Sequence, residues 1–295
     1  MEAKILDGKK TAQELREELR QEVQTLKEKH NLTPGLAVVL VGEHPASVSY
    51  VTGKRRACEK AGIYSREENH PETLSEKKLL SLIDELNGDP KIHGILVQLP
   101  LPDHIDEKKV LHAIHPDKDV DGLHPFNVGQ MMIGEDTFLP CTPHGIQQLL
   151  IRNNIPIESR HIVIVGRSNL VGKPLAAMLL QKQKNANATV TVCHTGTKDI
   201  GQYTKQADIL IAAAGRPNTV TADMVSDGAV IVDVGVNRIE DASRKKGYRL
   251  VGDVDFEAIR QKAAAITPVP GGVGPMTITM LLYNTVKSAK NSISH

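Results

Sequence analysis

Cysteine is scarce in this sequence: Cys58, Cys141 and Cys193 are the only three in 295 residues. They lie far apart, without the paired spacing of a zinc site or a disulfide framework, which fits reduced, structural thiols. An excess of one charge is also lacking. Lysine plus arginine number 36 against 35 acidic residues, a net charge of +1, so there is no field for wrapping nucleic acid or pressing on an acidic membrane. No nucleic acid and no membrane is therefore expected as a partner. Long apolar runs are missing as well, since no window approaches the roughly 18 uninterrupted apolar residues of a membrane span. The opening MEAKILDGKKTAQELREELRQEVQTLKEKH is too charged for a secretory core and too acidic for a transit peptide, and reads as a folded helix. A soluble, cytoplasmic protein is expected. Internal repeats and low-complexity tracts are absent, and the length suits two ordinary domains.

What is present is alternation. Apolar residues from Ala12 to Leu26 recur at helical spacing, and GLAVVLVG (35–42) follows as a short branched run bounded by glycines. The pattern continues with helices over about 47–61 and 75–86 and a second apolar run, GILVQLPLP (94–102). Helix and buried strand in turn predict a parallel sheet covered by helices. A second series is cleaner: HIVIVG (161–166), a helix from Val171, TVTVCH (189–194), DILIAAAG (208–215) and AVIVDVGVN (229–237). It has the pattern of a nucleotide fold. Two α/β domains are expected, 1–122 and 123–295, with a final helix over 274–290 packing back on the first.

GRSNLVGKP (166–174) lies between a strand and a helix, where a dinucleotide fold places its phosphate-binding turn. Ser168 stands where a second glycine is usual, so the letters alone also suit a glycine-capped turn with no ligand. A phosphate loop of the ATPase kind does not fit: the glycine spacing is one residue too long, and Pro174 follows Lys173 where a hydroxyl residue is required. The strand after the turn ends in CHTGTK, with no carboxylate before Asp199 to hold ribose hydroxyls. Arg167, His194, Thr195 and Thr197 offer polar or charged contacts instead. This favours a 2′-phosphate and hence NADP, with NAD as the alternative.

HAIHPDKDVDGLH (112–124) crowds histidines and aspartates together. Asp117, Asp119, Asp121 and Gly122 match the first half of a calcium loop, but Val128 stands at the twelfth place, where a glutamate is required. No metal is expected; a polar turn of this kind suits a solvated loop or a substrate anchor. Tyr50 and Lys54, one helical turn apart, share a face that suits either a pocket or an exposed surface.

Five motifs together, YVTGK (50–54), VQLPLP (97–102), DKDVDGLHPFNVG (117–129), GRSNLVGKP (166–174) and PVPGGVGPMT (268–277), closely resemble the bifunctional methylenetetrahydrofolate dehydrogenase/cyclohydrolase family. The resemblance runs over essentially the whole chain and in the family's order. It implies an amino-terminal catalytic domain, a Rossmann NAD(P)-binding domain and an active-site cleft between them. It also implies NADP-dependent oxidation of 5,10-methylenetetrahydrofolate, then hydrolysis of the methenyl product to 10-formyltetrahydrofolate, a one-carbon donor for purine biosynthesis. By motif, Lys54 is the catalytic residue of the hydrolysis, Tyr50 stacks on the folate, Gln98 tunes the lysine, and Asp121 holds the pterin's amino edge. Gly166, Arg167, Ser168, His194 and Thr195 match the adenosine-phosphate end of the cofactor site. Gly215, Val236 and Thr277 lie near its nicotinamide end, and Pro270 and Gly271 fall in a substrate-binding motif. Family members are typically homodimers. One position departs from the pattern: Gly196 stands where a basic residue is common, which bears on the strength of the NADP preference.

Three other readings compete. A Tyr-x-x-x-Lys pair also serves short-chain dehydrogenases, but there the glycine turn precedes the pair, and here the pair at 50–54 precedes the turn at 166. A monofunctional dehydrogenase of the same fold is opposed by retention of Lys54 and Gln98. A non-catalytic nucleotide- or folate-binding module would bind both ligands and convert neither.

Overall fold

The computed structural model describes residues 2–244 and 247–293. Its strands, in chain order, are β1 (Lys4–Ile5), β2 (Gly35–Val41), β3 (Tyr64–His70), β4 (Gly94–Val97), β5 (His161–Val165), β6 (Thr189–Cys193), β7 (Ile209–Ala212), β8 (Val230–Asp233), β9 (Asn237–Glu240), β10 (Tyr248–Val251) and β11 (Ala265–Ile266). Two compact units emerge: Gln13–Cys141 with Ile278–His295, and Met1–Ala12 with Thr142–Thr277. This division differs from the expected boundary at 122/123. Residues 123–141 stay with the turn before them because Asp119 accepts hydrogen bonds from the Leu123 and His124 N–H groups and from Asn127 Nδ2. Asn284, on the last helix, donates to the carbonyls of Val120 and Leu139. The first residues belong to the other unit because β1 pairs with β11.

The unit that holds residues 13–141 contains a three-stranded parallel sheet in the order β3-β2-β4. Every residue of β2 is buried, as a central strand covered on both faces requires. The helix Glu76–Gly88 presents Leu79, Ile83 and Leu86 at i, i+4 and i+7 to a core that includes Val39, Val41, Ile95 and Val97. Its first turn is closed by Ser75, whose Oγ accepts from the Lys78 N–H at 3.4 Å. Ile83 is fully buried, so Ile83→Ala is expected to cost about 2–5 kcal/mol. In urea the midpoint should fall with the slope unchanged.

Strand β3, YSREENH, carries no apolar alternation, and its polar letters do not announce a strand. It pairs with β2 along its whole length, from Gly35↔Tyr64 to Val41↔His70. Arg66 ties it to Glu85 on the neighbouring helix at 2.8 Å, and pairs with Glu68 of the same strand at 2.8 Å. The polar stretch after β4 holds two short helices, Glu107–Ala113 and Pro125–Ile133. Caps start them: Asp106 accepts from the N–H groups of Lys108 and Lys109, and His124 Nδ1 accepts from that of Phe126.

The other unit holds a six-stranded sheet, β1-β11-β8-β7-β5-β6, parallel at every pairing. The chain passes from β5 to β6 on one side and then to β7 on the other, so strand order reverses at β5. Open α/β sheets bind ligands at such a switch point, outside the carboxyl ends of the strands. The strands end earlier than their apolar runs: β5 at Val165, β7 at Ala212 and β8 at Asp233. The remaining letters of those runs form loops at that edge. Strands β9 and β10 form an antiparallel hairpin. Among the described residues, no helix is long and apolar enough to cross a membrane.

Candidate active site

Lys54 sits on the helix Pro45–Ala61, only 6% exposed. Its Nζ donates to Gln98 Oε1 at 2.9 Å and lies 5.9 Å from the centre of the Tyr50 ring. Gln98 follows directly after β4, and its Nε2 donates to the Leu99 carbonyl at 2.7 Å. That second bond fixes the amide so that its oxygen, not its nitrogen, faces the lysine. The next peptide, Leu99–Pro100, is cis. Burial lowers the Lys54 pKa from the ordinary lysine value, against the opposing pull of the Asp121 carboxylate. Burial likewise raises the Tyr50 pKa, keeping its phenol protonated.

The three acids of the polar turn have separate fates. Asp117 projects into solvent, its side chain 87% exposed. Asp119 is buried and its oxygens are taken up by the loop that it holds. Asp121 is the one electrostatically coupled to Lys54; desolvation raises its pKa, with the lysine charge acting in the opposite direction. Two of the segment's three histidines serve as backbone caps, His115 Nδ1 for the Asp117 N–H and His124 Nδ1 for that of Phe126, while His112 lies on the preceding helix with its ring edge-on to that of His124. Among the described residues, no three His, Cys, Asp or Glu side chains converge as a metal site. Cys141 comes close to this group without a sequence signal: its Sγ donates to the Val120 carbonyl at 3.3 Å, and burial pushes its thiol well above the usual range. Cys58 is pushed up to about 12 by the same cause. All three cysteines are free and buried.

On the other unit, Gly166 follows β5 with φ +136°, a backbone region that L side chains rarely adopt. A Cβ there would stand 2.2 Å from the Ala213 carbonyl oxygen, and one at Gly172 would stand 2.1 Å from that of Gly166. The two glycines let the turn fold tightly into the helix Gly172–Leu179. Ser168 Oγ accepts from the Val171 N–H at 3.1 Å. Gly166→Ala is expected to destabilise the protein by about 1–3 kcal/mol from backbone strain alone. A thermal melt should show the loss, with a weakened nucleotide affinity beside it.

Arg167 Nη1 approaches His194 Nε2 at 3.5 Å, and His194 Nδ1 accepts from the Gly196 N–H at 3.0 Å. Beyond β6 lies a cavity of about 560 Å³, lined among others by His194, Gly196, Thr197, Lys198 and Asp199. Thr195 is exposed beside it. At the remaining positions, Gly215 is exposed with φ +70°, and Val236 is 53% exposed. Thr277 Oγ1 lies 3.0 Å from Thr142 Oγ1. Gly271, buried with φ +117°, accepts at its carbonyl from the Lys9 N–H, and Pro270 follows a cis peptide. Tyr50, Lys54, Gln98 and Asp121 thus gather on one unit, and the nucleotide-directed residues on the other.

A parallel, helix-covered sheet with a tight glycine turn at its switch point defines a nucleotide-binding α/β protein. Residues 6–121 match the family model for the tetrahydrofolate dehydrogenase/cyclohydrolase catalytic domain, and residues 140–293 match that for the family's NAD(P)-binding domain. The chain belongs to the tetrahydrofolate dehydrogenase/cyclohydrolase family. It is 61% identical to the "Bifunctional protein FolD" of Syntrophus aciditrophicus over 99% of both chains, and 58% identical to that of Bacillus subtilis over the full length of both. Among solved structures, the bifunctional FolD of Campylobacter jejuni is 52% identical, with a TM-score of 0.92 over 98% of this chain and 99% of that one. The Trypanosoma brucei enzyme, complexed with NADP cofactor and inhibitor, is 39% identical, with a TM-score of 0.95 over all of both chains.

Proposed function

We infer that this protein oxidises 5,10-methylenetetrahydrofolate with NADP and hydrolyses the methenyl product to 10-formyltetrahydrofolate. The observation that carries the hydrolytic half is the buried Lys54 ammonium aimed at Gln98 Oε1, 2.9 Å away. Water must attack the methenyl carbon and lose a proton. A lysine at its ordinary pKa of about 10.4 is a poor base, but burial moves Lys54 toward neutrality, and a bound cationic substrate would move it further. Lys54 then takes the proton of the attacking water while Gln98 orients it, and returns a proton to N5 as the N5–carbon bond of the tetrahedral adduct breaks and leaves the formyl group on N10. Tyr50 offers a flat ring for the pterin. Asp121, the acid of the turn left unspent on the loop, holds the pterin's amino edge.

Oxidation needs less of the protein, because the folate nitrogen lone pairs stabilise the carbon that loses hydride. NADP, when bound, supplies the hydride acceptor. The residues fit such a nucleotide: glycines open the turn after β5, and Arg167, His194 and Lys198 present positive or donor groups at the end of β6. No carboxylate stands between the end of β6 and Asp199, which supports NADP over NAD, with Gly196 moderating the preference. Alignment of the two rings is the main task, worth up to roughly 7–11 kcal/mol in well-oriented model reactions.

We further propose a homodimer, the assembly that the family resemblance implies, and a cytoplasmic setting, supported by three free thiols. There the product would serve purine biosynthesis. The test of the reading is the absorbance of methenyltetrahydrofolate formed from the methylene substrate with NADP and, separately, with NAD. Formation and decay of the methenyl signal, faster with NADP, are expected. Binding of both ligands without turnover would establish a binding module instead.

A further inference from the structure

Behind the nucleotide-directed loops lie two buried aspartates, Asp233 at 2% and Asp253 at 0% exposure. They interlock with two glycines. Asp233 Oδ2 fills the place of a Cβ at Gly252, 1.7 Å away, and Asp253 Oδ1 that of a Cβ at Gly235, 2.1 Å away. Asp233 accepts from the N–H groups of Gly235, Asp253 and Val254, so it braces its own neighbourhood. Asp253 reaches outward. Its Oδ2 accepts from two successive N–H groups, Ala214 at 2.6 Å and Gly215 at 2.8 Å. Its Oδ1 accepts from Asn237 Nδ2 at 2.8 Å, and the same nitrogen donates to the Gly252 carbonyl at 3.1 Å.

One carboxylate therefore ties the loop that leaves the carboxyl end of β7 to Asn237, which opens β9 just after the loop that leaves β8. The other side of both loops is open. A Cβ at Gly215 would meet nothing within 4 Å, and Val236, next to Asn237, is 53% exposed. Ligands of open α/β sheets bind at this edge. We propose that Asp253 is a positioning residue for the nicotinamide end of NADP, holding the Gly215 backbone directly and Val236 through Asn237. This rests on the functional reading above. Only a carboxylate suits the place: it presents acceptors on both oxygens, whereas an amide presents one acceptor and two donors. In Asp253→Asn a donor faces a donor on one side, and the loop on that side is released.

Two measurements separate positioning from mere structure: NADP affinity by titration calorimetry, and hydrolysis of supplied methenyltetrahydrofolate, which consumes no NADP. In Asp253→Asn, NADP affinity is expected to fall about tenfold or more and the KM for NADP to rise, with hydrolysis within about twofold of wild type. Asn237→Ala removes one donor, leaves the carboxylate in place and should repeat the pattern more weakly, which keeps the test open if Asp253→Asn folds poorly. Unchanged NADP affinity in both variants overturns the proposal. So does a parallel fall of affinity, hydrolysis and melting temperature, the mark of a purely structural residue. A wild-type protein that binds no NADP overturns the functional reading and this inference with it.

Discussion

Lys54→Met is expected to lose hydrolysis of methenyltetrahydrofolate by at least about 10²-fold, the scale of positioned proton transfer, and to keep NADP-dependent oxidation within severalfold. The variant should therefore accumulate the methenyl compound. A methionine matches the length of the buried stem and keeps the helix packed, but it cannot carry a proton. The pH dependence follows from the same burial. Because the Lys54 pKa is lowered, the wild-type hydrolysis rate should climb as pH rises through that lowered value, and Lys54→Met should lack the limb. Stability has a definite sign too. The unfolded lysine binds its proton more tightly than the folded one, so folding at neutral pH carries a cost that shrinks as pH rises toward the ordinary lysine range. Lys54→Met should consequently melt at or above the wild-type temperature at neutral pH. A variant that hydrolyses at the wild-type rate removes Lys54 from the chemistry.

Asp121→Ala should act on both steps at once. The folate binds for oxidation and for hydrolysis alike, so loss of a charge-assisted contact of about 1.5–3 kcal/mol lowers kcat/KM for both by roughly 10–100-fold, mainly through KM. The variant carries a second signature. Asp121 holds the Lys54 pKa up against desolvation; without it the lysine pKa falls further, and the rising limb of the hydrolysis profile moves to lower pH. An effect confined to one activity would show that Asp121 does not grip the shared substrate. Asp117→Ala, on an exposed side chain, should change little by comparison.

Much of this architecture was legible in the letters, and the exceptions have physical causes. The central strands β2, β5, β7 and β8 are buried on both faces, so their apolar runs speak for themselves. Strand β3 was hidden because its place is set by backbone pairing with β2 and by the Arg66–Glu85 ion pair, not by a pattern of its own. Strands β1 and β11 are two residues long, too short for any period to register. The apolar runs also overran their strands: in DILIAAAG and AVIVDVGVN the last letters form loops whose backbone is tied to buried carboxylates. In the site, the family resemblance implied roles for Lys54, Gln98 and Asp121, whereas the letters of the polar turn could not by themselves divide its acids. Asp119 and Asp121 look alike in sequence and differ in what surrounds them, three donors in one case and a lysine in the other. Asp253 gave no motif because its contacts come from three donors distant in sequence, two on the loop after β7 and one at the start of β9.

One chain is expected to perform two reactions, the second through the buried Lys54, whose pKa burial lowers. This expectation is tested most directly by following methenyltetrahydrofolate absorbance in wild type and Lys54→Met, starting from methylenetetrahydrofolate and NADP. Transient absorbance is expected in the wild type and a stable plateau in the variant, formed at a comparable initial rate. A wild type that never forms the signal, or a variant in which it decays as fast as in the wild type, would contradict it.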